Sequence, residues 1–207
     1  MISCSRSRRP RFTTHRRVLA EAGESVERFF RSGVTGLKGK LGPILWQFHP
    51  GKKFEPDDFA AFLALLPQRL DGKPIRHAVE VRHESFLVPA FIALLRKFSV
   101  APVLVESDKH PLIADVTGDF VYARLQRTSE KEKTGYPARA LDTWAKRAQS
   151  FADGARRMIS RPSRRHRRRR RKRDVFIYMI SGAKVRAPAA AMALIERLEV
   201  KGANRAR

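Results

Sequence analysis

The sequence predicts an α/β protein built on a parallel sheet covered by helices, and three observations carry that expectation. Short apolar runs alternate along the chain with longer segments of helical spacing. The runs are apolar almost throughout, instead of at every second position, as befits parallel strands buried on both faces. At their carboxyl ends polar residues recur, where ligands meet the strands of an open doubly wound sheet or a closed (β/α) barrel. Periodicity alone does not choose between those two architectures.

The elements follow in order. Residues 18–32 put Leu19, Val26, Phe29 and Phe30 near one face and predict a first helix. PILWQF at 43–48 predicts the first strand. Residues 55–66 space Phe59, Phe62, Leu63 and Leu66 at i, i+3, i+4 and i+7 behind the start signals Pro56 and Asp57. HAVEVR at 77–82 is the second strand, and 89–98 a helix carried by Phe91, Leu94, Leu95 and Phe98. Strands APVLVE at 101–106 and FVYARL at 120–125 precede a helix at 138–151, marked by Leu141, Trp144, Ala148 and Phe151. VFIYMI at 175–180 is the last strand, and residues 187–198, with Pro188 near the start, close the series as a helix.

Charge is concentrated outside these elements. The formal net charge is +24, of which RRMISRPSRRHRRRRRKR at 156–173 contributes +12, the leader 1–17 contributes +6, and Lys201, Arg205 and Arg207 contribute +3. The body is therefore nearly balanced, as in ordinary globular proteins. The single cysteine, Cys4, rules out an intramolecular disulfide framework and any Cys-based metal site. No apolar stretch approaches the roughly 18 residues of a membrane span, and the leader lacks the apolar centre of a secretory signal. The expected location is cytoplasmic, with no membrane partner.

Candidate site residues stand at the strand ends. Gln47 follows the first strand. Glu80, Arg82 and His83 close the second, where Glu80 and Arg82, two apart on a strand, share a face. Glu106 and Asp108 follow the third, Arg124 and Gln126 the fourth, and Ser181 the fifth. A carboxylate, a guanidinium and an imidazole together can polarise a substrate and move a proton. The expected catalytic group is Glu80, Arg82, His83 and Arg124, with Gln47, Asp108, Gln126 and Ser181 binding a small or anionic substrate. The bland counterpart is a satisfied ion pair, Glu80 with Arg82 or Arg124, that only holds the interior together. His15, His49, His77 and His110 are expected to be surface or loop histidines. No H-x-x-x-H spacing recommends a metal, no glycine-rich phosphate loop is present, and no motif names a cofactor.

LGPILWQF, HAVEVRHESF, DVTGDFVYARLQ and DVFIYMISGAKVRAPAAA follow one another in the order and spacing of the DUF72 (YecE-like) family, which this chain resembles from about Arg11 to Leu198. The resemblance implies a TIM-barrel-like (β/α) fold with about five of its parallel strands present, and an undefined activity. It implies recurrent polar positions at Gln47, Glu80, Arg82, His83 and Arg124. Gln126 stands where members often have His, and Ser181 near a family Asn; Thr14 and His15 match a segment that follows an early strand. The implied organisation is a basic leader at 1–17, a partial barrel at 18–155, an arginine-rich insert at 156–173, a last β/α unit at 174–200 and a tail at 201–207, with about three β/α units lacking.

Family-like sequence stops at Gly154 and resumes at Asp174. Shifted Ala, Pro, Gly and Asp codons of a GC-rich gene give Arg, Ser and Pro, so the arginine-rich segments are expected to be out-of-frame readings. The alternative keeps them as a polybasic insert gripping nucleic-acid phosphates through Arg164, Arg165, Arg167, Arg168, Arg169 and Arg170.

Overall fold

The computed structural model describes residues 11–155, 172–180 and 182–203. Residues 1–10, the run from 156 to 171 with Arg164, Arg165 and Arg167 to Arg170, Ser181 and residues 204–207 lie outside the described residues.

In chain order the elements are α1 (Arg11–Thr14), a 3-10 turn (Leu19–Ala22), α2 (Gly23–Arg31), a 3-10 segment (Val34–Lys40), β1 (Ile44–Gln47), α3 (Pro56–Ala64), β2 (Arg69–Leu70) and β3 (Lys73–Pro74). They continue with β4 (His77–Glu80), a 3-10 turn (Glu84–Phe86), α4 (Pro89–Lys97), β5 (Ala101–Glu106), β6 (Phe120–Leu125), α5 (Ala138–Ala152), β7 (Asp174–Met179), a 3-10 turn (Lys184–Arg186) and α6 (Ala187–Ala203). Strands β1, β4, β5, β6 and β7 are neighbours in that order in one five-stranded sheet. The pairs β1 with β4, β4 with β5, and β6 with β7 are parallel, the wiring of a (β/α) barrel.

Three segments differ from the sequence expectation. The helix predicted for 18–32 is a 3-10 turn followed by α2, because the amides of Leu19 and Ala20 donate to the Asp58 carboxylate (2.6 and 3.0 Å), which starts a separate turn. The second strand ends at Glu80, not Arg82: its register with β1 closes at Gln47 and Glu80, and Arg82 turns back onto Glu80. The hairpin of β2 and β3 was not anticipated. Its turn residues Asp71 and Gly72 have φ of +48° and +74°, the type I′ geometry that an Asp-Gly pair favours, but its two-residue strands carry no apolar alternation.

The chain forms two compact units, Met1–Val103 and Leu104–Arg207, whose boundary falls inside β5. In the first, Phe59 is fully buried in a cage of rings, with centroids 5.2 Å from Phe48 and 5.5 Å from both Phe86 and Phe91. Phe62 and Trp46 extend the cage edge to face at 5.8 Å. In the second, Val121, Ala123 and Leu125 of β6 pack with Leu141, Trp144 and Ala145 of α5 and Leu194 of α6. Strand alternation sends Phe120, Tyr122 and Arg124 to the other face. There Tyr122 stacks on Tyr178 with centroids 4.8 Å apart, and Phe120 meets Phe176 edge on at 6.0 Å.

Candidate functional site

Polar groups at the strand ends gather separately in each unit. In the first, parallel pairing sets Gln47 beside Glu80. Glu80 is fully buried, and its Oε1 accepts from Gln47 Nε2 at 2.5 Å and from Arg82 Nε and Nη2 at 3.0 and 2.9 Å. A carboxylate in that position needs such donors, since an uncompensated buried charge costs several kcal/mol. Arg82 spends two of its five N–H donors on Glu80 and has no other acceptor among the described residues; its side chain is 22% exposed.

His83 follows directly and starts the Glu84–Phe86 turn. Its Nδ1 accepts from the Ser85 amide at 3.1 Å, and Ser85 Oγ lies 3.0 Å from the same nitrogen while accepting from the Phe54 amide at 2.9 Å. An accepting Nδ1 leaves the proton of the neutral ring on Nε2. His49 is held likewise, its Nδ1 accepting from the Gly51 amide at 3.0 Å, with the exposed His15 ring edge on at 5.6 Å. Among the described residues no group of three or more His, Cys, Asp or Glu could hold a metal ion.

His77 belongs to the core. Buried on β4, it accepts from Trp46 Nε1 through Nδ1 (3.1 Å) and lies 2.8 Å from the Pro67 carbonyl through Nε2. The indole fixes the neutral tautomer, Nε2 donating to Pro67. Burial pushes the imidazole below its ordinary value of 6.5, outweighing the Pro67 bond. Asp58 shows the opposite balance. Burial would raise its pKa, but Lys52 Nζ at 2.7 Å and the Leu19 and Ala20 amides together bring it below 3.8.

In the second unit Glu106, at the end of β5, accepts from Tyr136 at 2.5 Å and from Trp144 Nε1 at 2.8 Å. Tyr136 Oη in turn accepts from the Arg127 amide at 2.9 Å. Burial first, then the bond to Glu106 and its charge, push the phenol above its ordinary range. Tyr136 and Trp144 lie 30 and 38 residues beyond Glu106, which is why the sequence showed the carboxylate without its partners. Asp108 pairs on the surface with Arg127. Arg124 is buried on β6, and Gln126 is half-buried just beyond it. Thus Gln47, Glu80 and Arg82 come together in one unit, with His83 next in the chain and bonded to Ser85, while Arg124, Asp108 and Gln126 stand in the other.

Five parallel strands alternating with helices, with polar residues gathered at their carboxyl ends, define a (β/α) protein of the TIM-barrel kind. The chain belongs to the DUF72 family, described as a protein of unknown function, whose model matches residues 7–207. Among solved structures it is similar to a DUF72 family protein of Thermotoga maritima, at 20% identity and a TM-score of 0.62, over 86% of this chain and 65% of that one. It is also similar to a DUF72 family protein of Enterococcus faecalis, in two crystal structures at 14% identity and a TM-score of 0.61. Those matches cover 86% and 85% of this chain and 66% and 68% of the other. This chain therefore spans just under two thirds of the Thermotoga protein's length. No curated protein matches it. Among the described residues no helix is long and apolar enough to cross a membrane.

Proposed function

We propose that the cluster at the ends of β1 and β4 binds a small anionic substrate and transfers a proton on it. The observation behind this reading is Arg82: Glu80 orients its guanidinium and leaves three N–H donors without an acceptor among the described residues. In this reading Glu80 and Gln47 position Arg82, Arg82 binds a carboxylate or similar oxyanion, and His83, with its proton on Nε2, is the acid or base. Arg124, Asp108 and Gln126 stand in the other unit and are proposed as substrate contacts there. The lone cysteine and the nearly balanced body support a cytoplasmic location.

Calorimetric titration with succinate tests the anion site. Saturable binding that falls about tenfold in Arg82→Met and is partly restored in Arg82→Lys supports it. Equal affinity in wild type and Arg82→Met, with both variants melting cooperatively, removes Arg82 from the site. The second reading, nucleic-acid binding, is favoured by the twelve basic residues and absent carboxylates of 156–173.

A further inference from the structure

The unit Leu104–Arg207 holds two cations, Lys184 and Arg186, on the turn after β7, apart from Arg82 in the other unit. The loops that follow β6 and β7 are pressed together backbone to backbone. The Ala183 amide donates to the Thr128 carbonyl at 2.9 Å. Gly182 has φ +60°, and a β-carbon there would stand 2.5 Å from the Thr128 carbonyl oxygen and 3.0 Å from that of Gln126. Gly135 has φ +68°, and its β-carbon would meet the Arg186 carbonyl at 3.0 Å. Both positions require glycine, and together they clamp the Lys184–Arg186 turn against the 126–136 loop.

That turn carries two cations. Neither the Lys184 nor the Arg186 side chain makes a hydrogen bond or ion pair among the described residues. Arg186 Nε is sealed from solvent with no acceptor. An unpaired buried donor costs about 1–3 kcal/mol and more when charged, a cost the fold already carries at this turn. No carboxylate opposes it on the following helix, since the first turn of α6 has no acidic residue. In the facing loop Glu130 and Glu132 alternate with Lys131 and Lys133.

We propose that Arg186 and Lys184 bind the phosphoryl group of a small phosphate monoester between the loops after β6 and β7. Arg186 supplies the directed N–H donors and Lys184 a mobile point charge. In (β/α) barrels the loops after the last two strands are a frequent phosphate seat.

Titration calorimetry of the full chain with inorganic phosphate, at about physiological salt, is the test. The expected result, measured in an Arg82→Met background so that phosphate held at Arg82 does not contribute, is saturable binding, about tenfold weaker in Lys184→Gln and at least as weak in Arg186→Gln. Lys184 is exposed, so Lys184→Gln decides the matter if Arg186→Gln fails to fold. Unchanged phosphate affinity in Lys184→Gln overturns the proposal. So does affinity lost only when Arg164 and Arg167 to Arg170 are replaced by glutamine. Loss of succinate binding in Arg82→Met has no bearing on this site, so the two readings fail separately.

Discussion

Glu80 is buried completely and is held by Arg82 and Gln47, so this carboxylate depends on its donors. Replacing Arg82 with Met removes two of them, and the expected loss in urea unfolding is about 1–3 kcal/mol. At this scale two titrating groups, both with lowered pKa, give pH effects that act in the same direction. His77 has its folded pKa below 6.5, so the unfolded chain binds the proton more readily and stability falls as pH drops below 6.5. Asp58 has its folded pKa below 3.8, so its contribution is present above 3.8 and is lost as pH falls through the lower folded value. Melting temperature measured from pH 7 to 4 should therefore fall through the His77 window in wild type. The fall between pH 6.5 and 5 should shrink in His77→Gln, and an undiminished fall would show that His77 does not carry it. Glu80, Arg82 and His83 are neighbours in the sequence itself, but the role of His77 as a core acceptor for Trp46 depends on a partner 31 residues away.

The loops after the strands, more than the strands themselves, depend on a few tight contacts. Tyr136→Phe removes the donor to Glu106 and the acceptor for the Arg127 amide, and should cost about 1–3 kcal/mol in the same unfolding assay. Gly182→Ala should cost at least as much, because its methyl meets carbonyl oxygen at 2.5 Å in a backbone region alanine avoids. A Gly182→Ala variant as stable as wild type would mean that the two loops are not held together as described. Among the helices, Phe59→Ala in α3 empties the centre of the ring cage and is expected to cost about 3–5 kcal/mol. The five main strands and the α3, α4, α5 and α6 segments were all legible, since their apolar spacing is local. The Asp71-Gly72 hairpin and the break between the first 3-10 turn and α2 were not, since a dipeptide and a distant Asp58 decide them.

At the scale of the whole molecule, the two tryptophans, Trp46 and Trp144, fall one in each unit. Strand β5 contributes residues to both, so its loss strips both cores. Trp46→Phe and Trp144→Phe, each leaving one reporter, should give the same denaturant midpoint, corrected for the cost of each substitution; separated midpoints would show independent units. If the 156–173 segment is present in the protein and grips phosphates, binding to single-stranded DNA should fall steeply between about 50 and 200 mM salt and vanish when 156–171 are deleted. By itself the sequence determined the type and order of the main elements, the family, the placement of charge outside the body and the strand-end polar list, because burial periodicity and net charge are properties of consecutive residues. Only the tertiary structure decided that Arg82 turns back onto Glu80, that Tyr136 and Trp144 share Glu106, and that Gly182 and Gly135 clamp a turn with an unpaired Arg186. Those pairings join groups far apart in the chain or set by backbone angles, and no local spacing records them.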